Sequence, residues 1–484
     1  MDADNIKFFS GKRIPIETHR VRMVHRATLP SPNERARIIR AAGYNGYLLA
    51  ARDVFLDMLT DSGVNAMDVQ QYAAMLRADD SYAGSESFFR LRRTIEEVFG
   101  LPYFLPTHQG RACENIITNT FIGPKNIVLT NYHFTTIKAH VARLGGQIEN
   151  MIIDEAFTPQ SDYPFKGNFD LQKLTSAVEM FGRDRIAFVR IECGTNFVGG
   201  QPVALENMRE VSRFCRGNCI PLIMDASLLS DNLYFIKTRE SECRDKLLAG
   251  IIRELATLPD LIYFSGRKFG CAHGGGMVTG DEKLYEKLRE LLPLYEGFWM
   301  HGGMPAREME AMAVGIEQTL ILDVVAQVPL FVEFLGKLLV EAGIPVVRPF
   351  GGLGCYIDAM QFLDHVPREQ YPAGALAAAI YLAGGIRCAE MGVLSQQRNA
   401  DGSEIFPPLE LVRLSIPKRV FTLSHMKFIA DRFCWLFSNR HLIGGLEFIE
   451  EPTVQRSYFG KLRPIENWPN LLMAQFSRDM PGGI

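Results

Sequence analysis

Short apolar runs alternate with helical stretches through the middle of this 484-residue chain, and this alternation limits the fold more than any other feature. The runs Ile127–Thr130, Ile186–Glu192 and 261–264 are rich in β-branched and aromatic residues, which favours buried strands. Stretches with helical patterning at 135–144 and 204–216 lie between such runs. Because buried strands joined through helices must cross over the sheet, the pattern predicts an α/β fold with a mostly parallel sheet and helices on both faces.

The patterning divides the chain into three parts. The alternation of strands and helices predicts a large domain at 61–325, and a long apolar helix is predicted around 308–342. The pattern then restarts and predicts a smaller α+β domain at 326–484, with strands at 344–349, 354–358 and 412–416 and helices at 373–384 and 424–438. Residues 1–60 hold too few apolar signals for a core of their own, so we expect an N-terminal arm that forms part of the small domain.

Composition excludes several classes of protein. The chain has 52 Lys and Arg against 55 Asp and Glu, a net charge of −3, which gives no basic face for nucleic acid. Its nine cysteines are irregularly spaced, which indicates reduced thiols and not a disulfide framework. The longest nearly apolar run, which starts at Ala375, is shorter than the roughly 18 residues that a membrane span needs. We therefore expect a cytoplasmic protein with neither nucleic acid nor membrane as a partner.

Polar side chains follow three of the predicted strands, at the sheet edge where parallel α/β folds bind ligands. Gln109-Gly110-Arg111 opens a helical stretch whose backbone N–H groups and guanidinium suit an anion, although ordinary helix capping would also explain it. Asp225 ends a buried strand and must be paired, with either a cationic ring nitrogen or a neighbouring arginine, although a cap of the next helix would also explain it. Lys268 follows another strand among small residues, where burial makes an amine nucleophilic, although most lysines are solvated surface groups.

These three features occur in the order that pyridoxal phosphate requires. The cofactor needs an anion site for its phosphate, an acid beside its pyridine nitrogen and a lysine that holds its aldehyde as a Schiff base. Asp225 and Lys268 lie about forty residues apart at the ends of consecutive predicted strands, with the anion site upstream. The combination favours a pyridoxal phosphate site over the separate structural explanations.

Nine short sequence blocks add a family resemblance. The chain resembles the tryptophanase and tyrosine phenol-lyase family of β-eliminating lyases, which are fold type I pyridoxal phosphate enzymes, from about Ile38 to Lys461. The blocks, in chain order, are LTDSG (59–63), NAM (65–67), YAGSE (82–86), PTHQGR (106–111), FTT (134–136), GGQP (199–202), YEG (295–297), MEAM (309–312) and VRL (412–414).

The resemblance implies a role for each matched residue. Gln109, Gly110, Arg111 and Ser265 match the residues that bind the cofactor phosphate. The residues that would contact the rest of the cofactor are Phe134 on its ring face, Asn196 near its phenolic oxygen, Asp225 at its ring nitrogen and Lys268 at its aldehyde. Lys268 is also expected to move the α-proton of the substrate.

The resemblance further implies residues for the substrate and for the assembly. Arg413 matches the clamp on the substrate carboxylate, and the other retained substrate-binding positions are Thr60, Ser62, Thr135 and Asn196. Tyr82 matches a tyrosine that reaches the site from a neighbouring subunit and helps to protonate the leaving group. We therefore expect a homo-oligomer, a dimer of dimers as is typical of the family.

Several departures from the family pattern surround the expected cofactor. Leu228 stands where the family has an arginine for the phenolic oxygen, and Arg267 stands where it has a lysine beside the Schiff-base residue. Asp80 replaces a glutamate of the family's monovalent-cation site and His273 replaces an asparagine whose carbonyl is a ligand. Because a main-chain oxygen survives a side-chain change, the resemblance leaves potassium open as a second cofactor.

The expected leaving-group pocket departs as well. Met391 stands where tyrosine phenol-lyases have an arginine for the phenol oxygen and tryptophanases an apolar residue. Tyr47 stands at a phenylalanine position, and Ser457 where tryptophanases have a histidine, and these two changes argue against plain tryptophan as well. We therefore predict a tryptophanase-like lyase, not one for tyrosine, that cleaves the β-bond of an L-amino acid to pyruvate, ammonia and a leaving group.

Two alternatives stay open. One is a β-replacement or another specialised amino-acid transformation, which the changes at Leu228 and Arg267 motivate. The other is a non-catalytic homologue that only binds the cofactor. Retention of Lys268, Asp225 and Arg413 argues against that second alternative.

Overall fold

The computed structural model describes residues 8, 14–399 and 401–482, and these form two compact units. The first unit contains Asp61–Ala156 and Tyr163–Pro329, and the second contains the described residues up to Thr60, Phe157–Asp162 and 330–482. Of the predicted N-terminal arm, residues 1–7 and 9–13 lie outside the described residues. The part of the arm at 14–60 is included in the second unit.

The strands and helices of both units follow in chain order. The strands are β1 (Leu56–Met58), β2 (Tyr103–Thr107), β3 (Ile127–Thr130), β4 (Gln147–Asn150), β5 (Ile186–Glu192), β6 (Leu222–Asp225), β7 (Leu261–Ser265), β8 (Gly275–Thr279), β9 (Gly354–Asp358), β10 (Ile386–Met391), β11 (Leu411–Ser415), β12 (Leu446–Glu450) and β13 (Lys461–Pro464). The helices are α1 (Pro32–Ala41), α2 (Val69–Met75), α3 (Glu86–Phe99), α4 (Gly110–Phe121), α5 (Thr135–Arg143), α6 (Leu171–Phe181), α7 (Leu205–Gly217), α8 (Leu229–Arg239), α9 (Leu248–Ala256), α10 (Gly266–Phe269), α11 (Glu282–Tyr295), α12 (Ala306–Gln318), α13 (Leu322–Glu341), α14 (Ala359–Phe362), α15 (Pro372–Gly384), α16 (Leu423–Ser438), α17 (Arg456–Phe459) and α18 (Trp468–Asp479).

A seven-stranded sheet in the order β2-β8-β7-β6-β5-β3-β4 forms the centre of the first unit. Strands β4, β3, β5, β6 and β7 pair in parallel, whereas β8 is antiparallel to both β7 and β2. The mostly parallel sheet predicted from the sequence is therefore confirmed. The register places Glu192 beside Asp225 and Asp225 beside Tyr263, so three polar residues of adjacent strands lie in one row.

Apolar side chains from the sheet and its helices form the core of this unit. Ile116 of α4, Val128 of β3, Phe188 of β5 and Leu261 of β7 are at most 1% exposed and belong to one cluster. Burial of such side chains contributes about 1.5–3 kcal/mol each. This packing fixes the strand ends from which the polar residues project.

The second unit has the predicted α+β character. Its main sheet has the order β1-β10-β11-β9, in which β1 and β10 are parallel and the other pairs antiparallel, and β12 pairs with β13. Helix α15 is buried along nearly its whole length, which its alanine-rich sequence permits.

Two predicted elements were wrong in detail. The predicted strand at 344–349 forms only a single bridge, Val346 with Ile357, because Pro345 and Pro349 have no N–H to donate to a ladder. The predicted helix at 308–342 is two helices, α12 and α13. Within the described residues no single helix is long and apolar enough to cross a membrane, and α12 with α13 passes only as a pair bent by 81°.

Candidate active site

One cavity of the first unit brings together most of the residues predicted to bind the cofactor. It lies where β5, β6 and β7 end, which is the usual ligand-binding edge of a parallel sheet. The predicted residues that line it are Ser62, Gln109, Gly110, Arg111, Phe134, Asn196, Asp225, Ser265 and Lys268.

Residues at the start of α4 line one part of this cavity. The side chain of Gln109 makes no capping hydrogen bond to the first N–H groups of the helix, which are donors of the kind that anions use. A Cβ atom on Gly110 would lie 3.0 Å from the Cβ of Ser265, and one on Gly275 of β8 would lie 2.8 Å from the carbonyl carbon of Gln109. Glycine at both positions therefore lets the helix start approach the ends of β7 and β8 closely.

Lys268 lies on α10, the short helix that directly follows β7. Its side chain is 17% exposed, and its Nζ lies 3.6 Å from Oδ1 of Asp61 and 6.0 Å from the centre of the Phe134 ring. The amine is therefore enclosed, beside a carboxylate and near an aromatic ring.

Asp225 ends β6 with its carboxylate held by three donors. Its Oδ1 accepts the N–H of Ser227 at 2.9 Å, and its Oδ2 accepts Arg190 Nη2 at 2.6 Å and the Tyr263 hydroxyl at 3.0 Å. The side chain is 11% exposed. A carboxylate fixed in this way faces the cavity in one orientation.

Sequence reasoning missed the polar residues behind Asp225. Arg190 of β5 is fully buried. Glu192, Tyr263 and Glu114 of α4 are also buried, and all three line the cavity. Burial raises the pKa of Glu114 to about 7 and also raises the pKa of Glu192. The one signal in the sequence is the pair of charges inside the apolar run of β5, since a buried charge requires a partner.

The donor set of the cavity fits pyridoxal phosphate. The helix start with Arg111 and Ser265 would hold the phosphate, and Phe134 offers a flat apolar face for the ring. Asp225 offers a carboxylate for the ring nitrogen and Lys268 an amine for the aldehyde. Leu228 also lines the cavity and is 6% exposed, so an apolar side chain occupies the position where the resemblance implies an arginine.

Three other predicted residues of the first unit do not line this cavity. Thr135 begins α5, and the neighbouring Thr136 lines the cavity instead. Tyr82 is 72% exposed and stacks on Phe298 with ring centres 5.1 Å apart. Asp80 is exposed, and the role predicted for it in binding a monovalent cation stays a prediction.

The second unit contains the remaining predicted residues. Arg413 of β11 is 6% exposed and donates from Nη2 to the carbonyl of Leu59 at 2.8 Å, next to Thr60. Tyr47 and Ser457 line a cavity of this unit together with Glu390, and the Tyr47 ring lies 4.7 Å from that of Tyr458. Met391 ends β10 and is 5% exposed. Their roles toward a substrate stay predictions.

Comparison with known proteins identifies relatives along most of the chain. The β-eliminating lyase family model matches residues 57–432. A tyrosine phenol-lyase of Symbiobacterium sp. (strain SC-1) is 40% identical over 93% of this chain and 98% of its own. A tyrosine phenol-lyase of Intrasporangium calvum is 41% identical over 93% of this chain and 95% of its own.

Solved structures with the same fold are much more distant in sequence. A serine palmitoyltransferase of Sphingomonas wittichii has a TM-score of 0.58 at 14% identity, covering 85% of this chain and 97% of that one. A serine palmitoyltransferase of S. paucimobilis, solved with bound pyridoxal phosphate and myriocin, has a TM-score of 0.56 at 12% identity, covering 81% and 89%. These likenesses concern the fold, which is that of the fold type I pyridoxal phosphate enzymes.

Proposed function

The chain belongs to the β-eliminating lyase family of pyridoxal phosphate-dependent carbon–carbon lyases, and we propose that it releases pyruvate, ammonia and a β-leaving group from an L-amino acid other than tyrosine. The observation that supports catalysis is the meeting of Lys268, Asp225 and the start of α4 in one cavity. Tryptophan, or an amino acid whose β-substituent is a related polar aromatic or heteroatom group, is the proposed substrate.

The residues of the cavity divide the chemistry among them. Lys268 would hold the cofactor aldehyde through its amine and would move the α-proton of the substrate, and Oδ1 of Asp61 lies 3.6 Å from that amine. Asp225 would hold the ring nitrogen, and Arg111 and the N–H groups of α4 would hold the phosphate. The cofactor, when bound, supplies the electron sink that makes the α-proton acidic. Arg413 binds the substrate carboxylate, and Tyr82 gives a proton to the leaving group.

The choice against tyrosine depends on Met391. A leaving phenol needs a hydrogen-bond donor at its oxygen, and a buried thioether is at most a weak acceptor. Sites that recognise a hydroxyl through hydrogen bonds reject analogues without that hydroxyl by about 10⁴–10⁵-fold. Loss of the donor therefore changes the preferred substrate strongly.

Tyrosine itself is the second candidate, and the relatives favour it. Both quoted relatives are named tyrosine phenol-lyases and are about two-fifths identical to this chain. The purified enzyme should therefore be assayed with tyrosine, tryptophan, cysteine derivatives and serine derivatives by pyruvate release. We expect pyruvate from tryptophan or a heteroatom-substituted amino acid and little from tyrosine. Phenol release from tyrosine as the fastest reaction would contradict the proposed substrate class.

The same assay separates elimination from β-replacement, which the changes at Leu228 and Arg267 favour as an alternative. Pyruvate that forms without an added nucleophile supports elimination. A new amino acid that forms only when a nucleophile such as indole or a thiol is added, with no pyruvate in its absence, would support replacement.

Lys268→Ala tests the cofactor site optically. The wild-type protein should be yellow when loaded with pyridoxal phosphate, and the variant should lose both the covalent attachment of the cofactor and about 10³-fold or more of the activity. Lys246→Ala is the control, since this lysine only pairs with Glu254 on α9. A colourless wild-type protein after addition of the cofactor would contradict the proposed function.

A further inference from the structure

Arg190 is a fully buried guanidinium that the proposed chemistry does not use. It donates to Oδ2 of Asp225 at 2.6 Å, to Oε2 of Glu192 at 2.9 Å and to the Tyr263 hydroxyl at 2.8 Å. The Tyr263 hydroxyl donates in turn to the same Oδ2 of Asp225. Arg190 does not line the cavity, so it acts on a ligand only through these neighbours.

The charges around Arg190 are unbalanced without it. Glu192 and Asp225 are register neighbours on β5 and β6, and Oε1 of Glu114 lies 3.3 Å from the Tyr263 hydroxyl oxygen. Three buried carboxyl groups therefore surround one guanidinium. Since carboxylates that share a buried site cannot all stay ionised without a cation, Arg190 decides which of them keeps its charge.

We propose that Arg190 is a positioning residue that keeps Asp225 ionised, so that the proton between Asp225 and the cofactor ring nitrogen resides on the nitrogen. The inference rests on the proposed function, because it requires the cofactor in this cavity. A guanidinium on Oδ2 stabilises the carboxylate form of Asp225 over its acid form. With Asp225 held as an anion, the proton is more stable on the ring than on the carboxyl oxygen.

The apolar neighbour at 228 makes this arrangement more important. Leu228 offers no charge to the cavity, whereas Arg190 supplies a positive charge from behind its wall. The protonated ring is the stronger electron sink, so Arg190 supports the acidity of the α-proton without touching the substrate.

The test compares variants that keep or remove the charge. The protein is loaded with pyridoxal phosphate labelled with ¹⁵N at the ring nitrogen, and the nitrogen chemical shift is measured by solid-state NMR. In wild-type protein and Arg190→Lys we expect the shift of a protonated ring. In Arg190→Gln we expect movement toward the shift of a neutral pyridine, with at least about tenfold weaker cofactor binding to the apoprotein.

A second pair of variants covers failure of Arg190→Gln to fold. Glu192→Gln leaves Arg190 on Asp225, and we expect its ring nitrogen to stay protonated. The double variant Arg190→Gln, Glu192→Gln removes one charge of each sign, and we expect its ring nitrogen to lose the proton although the buried charge is balanced.

The outcomes separate this inference from the proposed function. An unchanged nitrogen shift in folded Arg190→Gln, or in the double variant relative to Glu192→Gln, would overturn the role of Arg190 alone. Wild-type protein that binds no cofactor would overturn the proposed function and this inference with it.

Discussion

Single residues at the ends of strands decide what the cavity can bind. Arg111 and Gly110 begin α4, Asp225 ends β6 and Lys268 follows β7, so three short segments distant in sequence supply one site. Each of these residues has a chemical type that suits a particular part of the cofactor.

Replacement of Arg111 by alanine should weaken cofactor binding without unfolding the protein. Arg111 is exposed at the edge of the cavity, and a hydrogen bond to a charged group contributes about 1.5–3 kcal/mol, so we expect roughly a 10- to 100-fold higher Kd. Fluorescence titration of apoprotein measures this Kd, and Arg213→Ala on α7, a residue that is 65% exposed, is the control. Equal affinity of the two variants would show that Arg111 does not bind the phosphate.

Sequence reasoning found the residues with local signals and missed those that depend on strand register. Lys268, Asp225 and Arg111 could be selected because each follows a recognisable strand. Arg190 and Tyr263 could not, because their partners are set by the alignment of β5, β6 and β7. One-dimensional patterning contains no information on which residues of adjacent strands lie side by side.

Individual strands and helices were predictable where burial alone decides their structure. The predicted strands 186–192 and 354–358 have the same bounds as β5 and β9, since both are buried along nearly their whole length. Strand β10 was not predicted because it contains Arg387 and Glu390. Both side chains have partners: Arg387 pairs with Asp57, and Glu390 accepts from the nearby Ser395 and Gly392.

Strand β8 permits the close approach of α4 through Gly275. An alanine Cβ there would lie 2.8 Å from both the carbonyl carbon of Gln109 and the carbonyl oxygen of Phe264, so the helix start must shift. We expect Gly275→Ala to weaken cofactor binding by about tenfold or more, because the shift would misplace the N–H donors at the start of α4. Gly280→Ala, where the nearest atom is a flexible Leu101 carbon at 3.5 Å, should bind normally. Normal cofactor affinity in Gly275→Ala would mean that the contact relaxes without moving α4.

The β10 and β11 region makes stability depend on pH. Burial raises the pKa of Glu390 to about 7 and, together with the charge of Glu390, raises the pKa of Glu410 to about 8, against 4.5 for an ordinary glutamate. The folded state therefore binds more protons than the unfolded state between these values. The contribution of Glu390 and Glu410 to the free energy of unfolding is complete below about pH 4.5 and is lost as the pH rises through 7 to 8.

Glu410→Gln should reduce this loss. Because one pKa unit corresponds to about 1.4 kcal/mol, the fall in unfolding free energy between pH 5 and pH 9 should be smaller in the variant by a few kcal/mol. Urea unfolding followed by circular dichroism measures the change, and exposed Glu369→Gln should retain the wild-type dependence. If the unfolding free energy of Glu410→Gln fell with pH as steeply as that of the wild type, the role of Glu390 and Glu410 would be contradicted.

At the scale of the whole molecule, the exposure of Tyr82 bears on assembly. Tyr82 is 72% exposed and does not line the cavity of its own chain, whereas the family resemblance gives it a role in a neighbouring subunit. Interfaces of this kind are enriched in aromatic residues, and symmetric homo-oligomers are the common form of soluble assemblies.

Mixing inactive variants tests whether Tyr82 acts between subunits. Tyr82→Phe and Lys268→Ala should each be nearly inactive, but after dissociation and reassembly as dimers the mixture should regain about a quarter of wild-type activity, because mixed dimers contain one intact site. A mixture of Lys268→Ala with Asp225→Ala is the control and should stay inactive, since both residues line the cavity of one chain. No recovery in the first mixture would place Tyr82 outside the neighbouring site.

The distribution of residues between the two compact units bears on how such an enzyme can diverge. Every residue assigned to the cofactor lies in the first unit, whereas Tyr47, Met391 and Ser457, which are assigned to the leaving group, lie in the second. Mutations that alter the preferred substrate can therefore accumulate in the segments of the second unit while purifying selection preserves the cofactor site in the first. A lineage with this layout can explore new amino acids gradually, without passing through ancestors that have lost their catalytic group.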